Sequence, residues 1–149
     1  MERNEIANRM REGFGEALLG LEQKSPRRLF VEIAPASVRE ASRFMFRDLG
    51  ARLQIASGVD TPDAIEILYH WAFDRSDCVV TVRLRLERDD PQIESISDIC
   101  KGAEWIEREM WELLGIRFLN HPELRHLLLA DDWPEGRYPL RRDYRRETS

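Results

Sequence analysis

The sequence predicts an α+β fold: a mostly antiparallel sheet of about four strands with helices packed on it, followed by an extended C-terminal arm. Three observations carry that expectation. Segments 65–73 and 80–86 alternate apolar and polar residues with the period of two of a half-buried strand. Segments 3–20, 36–49 and the one ending at Leu114 instead repeat apolar residues every three or four positions. Beyond Leu119 the periodicity stops, and Arg, His, Asp, Trp and Pro crowd together. Strands in a run flanked by helices favour helices layered on one face of an antiparallel sheet.

The elements follow in order. In the first helix, Ile6, Met10, Phe14, Ala17, Leu18 and Leu21 form a stripe that Gly13 and Gly15 weaken. Gln23 to Arg28 reads as a basic loop, and Leu29 to Ile33 as a short strand ended by Pro35. The second helix turns Val38, Ala41, Met45 and Leu49 inward and stops at Gly50. Arg52 to Ile55 alternates as a strand, and Gly58 with Asp60 to Asp63 reads as a turn. In the next strand Ile65, Ile67, Tyr69, Trp71 and Phe73 share a face. Asp74 to Asp77 makes a hairpin-sized connection, and Val80, Val82, Leu84 and Leu86 alternate with polar residues in the last strand. Asp89-Asp90-Pro91 ends the sheet, and Ser97-Asp98 can cap a long helix. Its stripe is Ile99, Ala103, Ile106, Met110 and Leu113, closed by Gly115 in the position where a left-handed cap suits glycine. This order divides the chain into a globular domain, residues 1–118, and an arm, residues 119–149.

At 149 residues the chain suits one domain with one core. It is 42% hydrophobic and 34% charged with a net charge of −5, which argues against nucleic acid as a partner. No apolar run approaches the roughly 18 residues of a membrane helix. The charged start, Met1 to Glu5, has no signal-peptide core after it, so a cytoplasmic location is expected. Cys78 and Cys100 are too few and too isolated for an iron–sulfur cluster or a zinc ribbon.

The densest chemistry lies between Glu107 and Tyr144. Glu107, Glu109 and Glu112 read either as paired carboxylates at a site or as a solvated helix face, with Glu104 and Arg108 pairing at i,i+4. Spacing alone favours the solvated face, because charge runs usually are one. His121 and His126 are five apart with Pro122 between them and no cysteine nearby, a poor metal pattern. Gly13-Phe14-Gly15 lacks a third glycine and follows no strand, so no phosphate loop is present. Trp105, Trp111, Trp133 and Tyr138 gather in the last third, as packing residues or as interface anchors. Arg137, Arg141, Arg142, Arg145 and Arg146 against Asp143 make the arm basic on an acidic protein, which suits an acidic groove on a partner or a solvated tail.

One resemblance bears on these alternatives. Glu107-Arg108-Glu109, Glu112, Leu113-Leu114-Gly115-Ile116, His121-Pro122, Arg125 and Pro139-Leu140-Arg141-Arg142-Asp143-Tyr144 resemble, in order and nearly in spacing, the 30 kDa subunit family of respiratory complex I, the NADH:quinone oxidoreductase. That family also includes subunits of membrane-bound energy-converting hydrogenases. Departures are Glu112 and Leu114 where Asp and an aromatic are usual, Asn120 for a glycine, His126 for a second arginine, and Arg142 for lysine. An extra residue also separates Gly136 from Pro139. The resemblance implies a non-catalytic scaffold subunit of the peripheral arm, with no cofactor of its own, on the cytoplasmic face of the membrane. It further implies that the chain clamps a large catalytic subunit beside iron–sulfur subunits and touches the membrane only through the complex. Partner-binding residues by this resemblance are Glu107, Arg108, Glu109, His121, Pro122, Arg125 and the run Pro139, Leu140, Arg141, Arg142, Asp143, Tyr144. The alternatives are a small enzyme using Glu107, Glu109 and His121 as acid and base groups, or a free adaptor.

Overall fold

The computed structural model describes residues 1–145 of the chain. Arg146, counted above with the basic arm, lies outside the described residues.

Helix α1, Arg3–Phe14, buries Ile6, Met10 and Phe14. It ends at Gly15, whose φ of 55° admits a side chain only with strain. The expected helix therefore stops early, and Leu18 and Leu21 belong to strand β1, Leu18–Ser25, rather than to its stripe. The basic loop expected at 23–28 is the end of this strand and the turn into β2, Arg28–Ile33. Helix α2, Val38–Arg43, widens over Phe44–Asp48, where the Leu49 N–H reaches back to the Phe44 carbonyl. Strand β3, Arg52–Asp60, runs five residues further than the sequence suggested and absorbs Gly58. Strands β4, Ile65–Phe73, and β5, Cys78–Leu86, fall where the alternation placed them. Asp77, at φ 49°, turns the chain between them. Two short strands had no signature: β6, Gln92–Glu94, and β7, Arg117–Leu119. Between them lies helix α3, Ala103–Leu114.

The main sheet has five strands, one more than expected, in the order β1-β2-β5-β4-β3. All its pairings are antiparallel except β2 with β5. That parallel pair carries the crossover through α2, β3 and β4. β6 and β7 form a separate parallel pair, so the boundary drawn at residue 118 falls inside β7.

The helices cover one face of the main sheet. Ile65, Ile67, Tyr69, Trp71 and Phe73 of β4 and Val80, Val82, Leu84 and Leu86 of β5 are buried there with Ile6, Met10, Met45 and Met110. The opposite face carries polar cross-strand pairs: Arg83 with Glu32, Arg85 with Glu66, and the His70 ring with the Thr81 hydroxyl at 2.9 Å. Helix α3 crosses β3 where Gly58 leaves room, since a Cβ there would run into Leu114 Cδ1. A main sheet with one covered face thus sets α3 along one side of the domain.

Candidate functional site

Helix α3 organises the site because it is covered from two sides. Its domain side buries Ala103, Glu107, Met110 and Leu114, and a second side buries Arg108 and Glu112. Ile106 and Leu113, expected inside, are only half-buried. Ser97 and Asp98 do not cap the helix. Ser97 is buried against Ser95 at 2.8 Å, and Asp98 forms a bidentate pair with Arg39 at 2.7 Å.

Glu107 is not on a solvated face; it is fully buried. Its carboxyl accepts from the Ser95 hydroxyl at 2.6 Å and from the Ile96 N–H at 3.0 Å, fixing the segment that leads out of β6. Burial raises its pKa to about 7 against those two donors. The same carboxylate and burial push the Tyr69 hydroxyl well above its ordinary value, burial first. That hydroxyl lies beside the Glu107 carboxyl but, among the described residues, meets no partner in strict hydrogen-bond geometry. His121 brings its Nε2 within 4.0 Å of Glu107, and both side chains are fully covered. Its Nδ1 accepts the Glu123 N–H at 3.0 Å, which leaves Nε2–H to donate to the Glu104 carbonyl at 2.9 Å. These contacts select one neutral tautomer and moor the chain after β7 to the first turn of α3. Glu107 and His121 are therefore together, but sealed inside, while Glu109 is exposed away from them.

Arg108 and Glu112, at i and i+4, hold the next stretch. Arg108 does not pair with Glu104. Its guanidinium donates to the Arg125 carbonyl at 3.1 Å and the His126 carbonyl at 2.9 Å. Glu112 accepts the N–H groups of Leu127 at 2.9 Å, Leu128 at 2.6 Å and Leu129 at 3.3 Å, with His126 Nδ1 at 3.2 Å. Burial opposes its charge, but these donors outweigh burial and hold its pKa below the ordinary value. One charged pair on one helix face thus satisfies acceptors and donors of a segment that has no regular secondary structure. The His126 ring packs against Trp111, with ring centroids 5.3 Å apart and planes tilted by 34°.

Near the C-terminus of α3 the chain returns. Gly115, at φ 77°, forms the left-handed cap read from the sequence, and a Cβ there would lie 2.6 Å from the Tyr138 ring. The Leu140 N–H bonds the Leu113 carbonyl at 2.9 Å, and Arg141 Nε bonds the Leu114 carbonyl at 2.5 Å. Two of the helix's orphan carbonyls are thereby satisfied. The Arg141 guanidinium also lies 5.5 Å from the Tyr138 ring centroid. The Arg142 N–H reaches Asp60 at 2.7 Å, beside the ion pair of Asp60 with Arg88. Arg137 lies 5.2 Å over the Tyr144 ring. Of the other residues singled out from the sequence, Pro122, Arg125 and Asp143 are exposed, Pro139 is half-buried, and Arg125 pairs with Glu123 at 2.8 Å.

Sequence reasoning missed Ser95, Tyr69, Asp60 and the role of Glu112. For Glu112 the available signals were its i,i+4 spacing from Arg108 and its place in the family motif. Among the described residues no group of three or more His, Cys, Asp or Glu could hold a metal ion, and no helix is long and apolar enough to cross a membrane.

Fold and site together define a class: α+β domains with one five-stranded main sheet in which one helix, through buried charges, holds the chain's own C-terminal segment. The chain belongs to the family of the respiratory-chain NADH dehydrogenase 30 Kd subunit, whose model matches residues 31–149. It is 40% identical over 134 residues to a subunit of the F(420)H(2) dehydrogenase of Methanosarcina mazei, covering 88% of this chain and 84% of that one. It is 34% identical over 152 residues to a subunit of the NADH-quinone oxidoreductase of Chloroherpeton thalassium, covering 97% of this chain and 62% of that one. The chain thus spans less than two thirds of the Chloroherpeton subunit's length. Among solved structures, a chain of the membrane-bound sulfane sulfur reductase, an archaeal respiratory membrane complex, matches 95% of this chain and 85% of its own length. The TM-score is 0.80 at 23% identity. A trypsin-resistant fragment of Nqo5 gives 0.66 at 22% identity, covering 82% of this chain and 99% of the fragment. Both are likenesses of fold.

Proposed function

We propose that the chain is a non-catalytic scaffold subunit of a complex I-like membrane oxidoreductase, on the cytoplasmic face. In this reading it clamps the large catalytic subunit next to iron–sulfur subunits, with residues 119–149 as the clamp. The relatives' own names, subunits of an F(420)H(2) dehydrogenase and of NADH-quinone oxidoreductases, support membership of such an assembly.

The observation that carries the clamping role is the contrast between backbone and side chains after β7. The backbone at 125–129 is tied to α3 by Arg108 and Glu112, and at 140–142 by contacts to Leu113 and Asp60. Yet Leu128 is 64% exposed and Leu140 is 58% exposed, with Arg125 and Arg142 exposed beside them. Apolar and arginine side chains presented from a prearranged backbone bind without the ordering cost of a loose tail. Glu107, Arg108 and His121 then act indirectly, by holding that backbone. Pro122, Arg125, Leu140, Arg142, Asp143 and Tyr144 supply contact, and Pro139 and Arg141 fix the final turn.

Affinity purification of the tagged chain from gently solubilised native membranes, with mass spectrometry, tests this. A large subunit and iron–sulfur proteins should co-purify, and Leu128→Asp with Leu140→Asp should release them. Recovery of a lone chain would overturn the proposal.

A further inference from the structure

The groove between strand β3 and the outer side of α3 shares only Leu140 with the contact residues of the scaffold reading. β3 ends the main sheet. No backbone hydrogen bond reaches its outer side among the described residues. Proteins usually blunt such edges with charges, proline or bulges. The opposite edge follows that rule: β1 has irregular register at both ends and carries the pair Lys24 with Glu22 at 2.9 Å. β3 does not. From Ile55 to Val59 it has no charge and no proline, and Ile55 and Val59 are 53% and 40% exposed. Its charged residues, Arg52 and Asp60, stand only at its ends and are engaged by Asp74 and Arg88.

The wall facing this edge is α3. The groove is lined by Ile55, Gly58, Met110, Leu113 and Leu140, and by one carboxylate, Glu109. Glu109 is exposed and makes no hydrogen bond or ion pair among the described residues, unlike its helix neighbours Glu107 and Glu112. An unpaired edge, an apolar lining and a single free negative charge ask for an extended chain with apolar side chains and one cation. We infer that an extended, lysine- or arginine-bearing segment of the partner subunit adds to β3 as a sixth strand, its cation meeting Glu109. This rests on the scaffold reading. Backbone pairing would supply affinity, and the Glu109 contact would set register.

The test uses the full tagged chain, free and in the assembly purified with it, as wild type, Glu109→Arg and Ile55→Lys/Val59→Lys. Amide exchange over residues 52–60 should slow at least tenfold in the assembly, with β1 unchanged. Both variants should lose at least tenfold in partner retention while keeping the wild-type circular dichroism and melting temperature. Equal exchange of residues 52–60 in the free and assembled wild type would overturn the added strand and leave the scaffold reading standing. Undiminished retention by Glu109→Arg would overturn the cation. A wild-type chain that retains no partner would overturn both readings.

Discussion

Two buried glutamates on one helix, five positions apart, end with opposite acidities. Glu107 sits against the domain with a serine hydroxyl and one amide as donors, and burial wins: its pKa rises to about 7. Glu112 sits against the C-terminal segment with three successive amides and a histidine, and the donors win: its pKa falls. Depth and donors together decide the sign: Glu107 lies deep in the core, whereas Glu112 lies nearer the edge of the domain and gathers more donors. The difference also separates two jobs. Glu112 is an ionised anchor for a segment, whereas Glu107 is a carboxyl poised near neutrality inside the joint between the β6 exit, β4 and His121.

Removing the anchor should have the largest effect. Glu112→Ala orphans three amides, and unfolding should show a loss of about 4 kcal/mol, with new protease cleavage within residues 126–129. Next comes pH. The Glu107 pKa is higher in the fold than its ordinary 4.5, so its contribution is full below about 4.5 and is lost as pH rises through about 7. The loss amounts to about 3 kcal/mol. Glu112, with a lowered pKa, contributes above its ordinary value and loses that contribution as pH falls through its folded one. Denaturant midpoints of Glu107→Gln should therefore stay flat from pH 5 to 8, where the wild type declines. Arg108→Met, which leaves two carbonyls without their donor, should cost about 2 kcal/mol and loosen residues 125–126 before the domain melts. The smallest effect belongs to the third side of the helix. Trp105 is 65% exposed, and Trp105→Ala should change unfolding by less than about 0.5 kcal/mol.

The same helix shows what a sequence displays and what it hides. Strands β4 and β5 were legible because one face is buried and the other polar, so the pattern survives in the residues themselves. The cap at Gly115 was legible for local steric reasons. β1 was not: Ala17, Leu18 and Leu21 continue the helical spacing, and only the turn at Gly15 redirects them. β6 and β7, three residues each, exist through pairing with one another, which no window along the chain reveals. In Glu107-Arg108-Glu109 each residue advances about 100° around the helix. One faces the domain, one the C-terminal segment and one the open groove. A charge run that reads as solvated is so only at Glu109. The motif resemblance marked these residues as important; their separate partners came from segments far along the chain.

The most direct measurement is the exchange rate of the Leu127, Leu128 and Leu129 amides in the isolated chain across pH. These amides should exchange at least about a hundredfold more slowly than an unstructured chain at pH 7. That protection should fade as pH falls below the ordinary carboxylate range and through the lowered pKa of Glu112, while the β4 and β5 amides stay protected. Unprotected exchange of the three amides at pH 7 would contradict the anchoring role of Glu112, because the segment would then not be held by α3 at all.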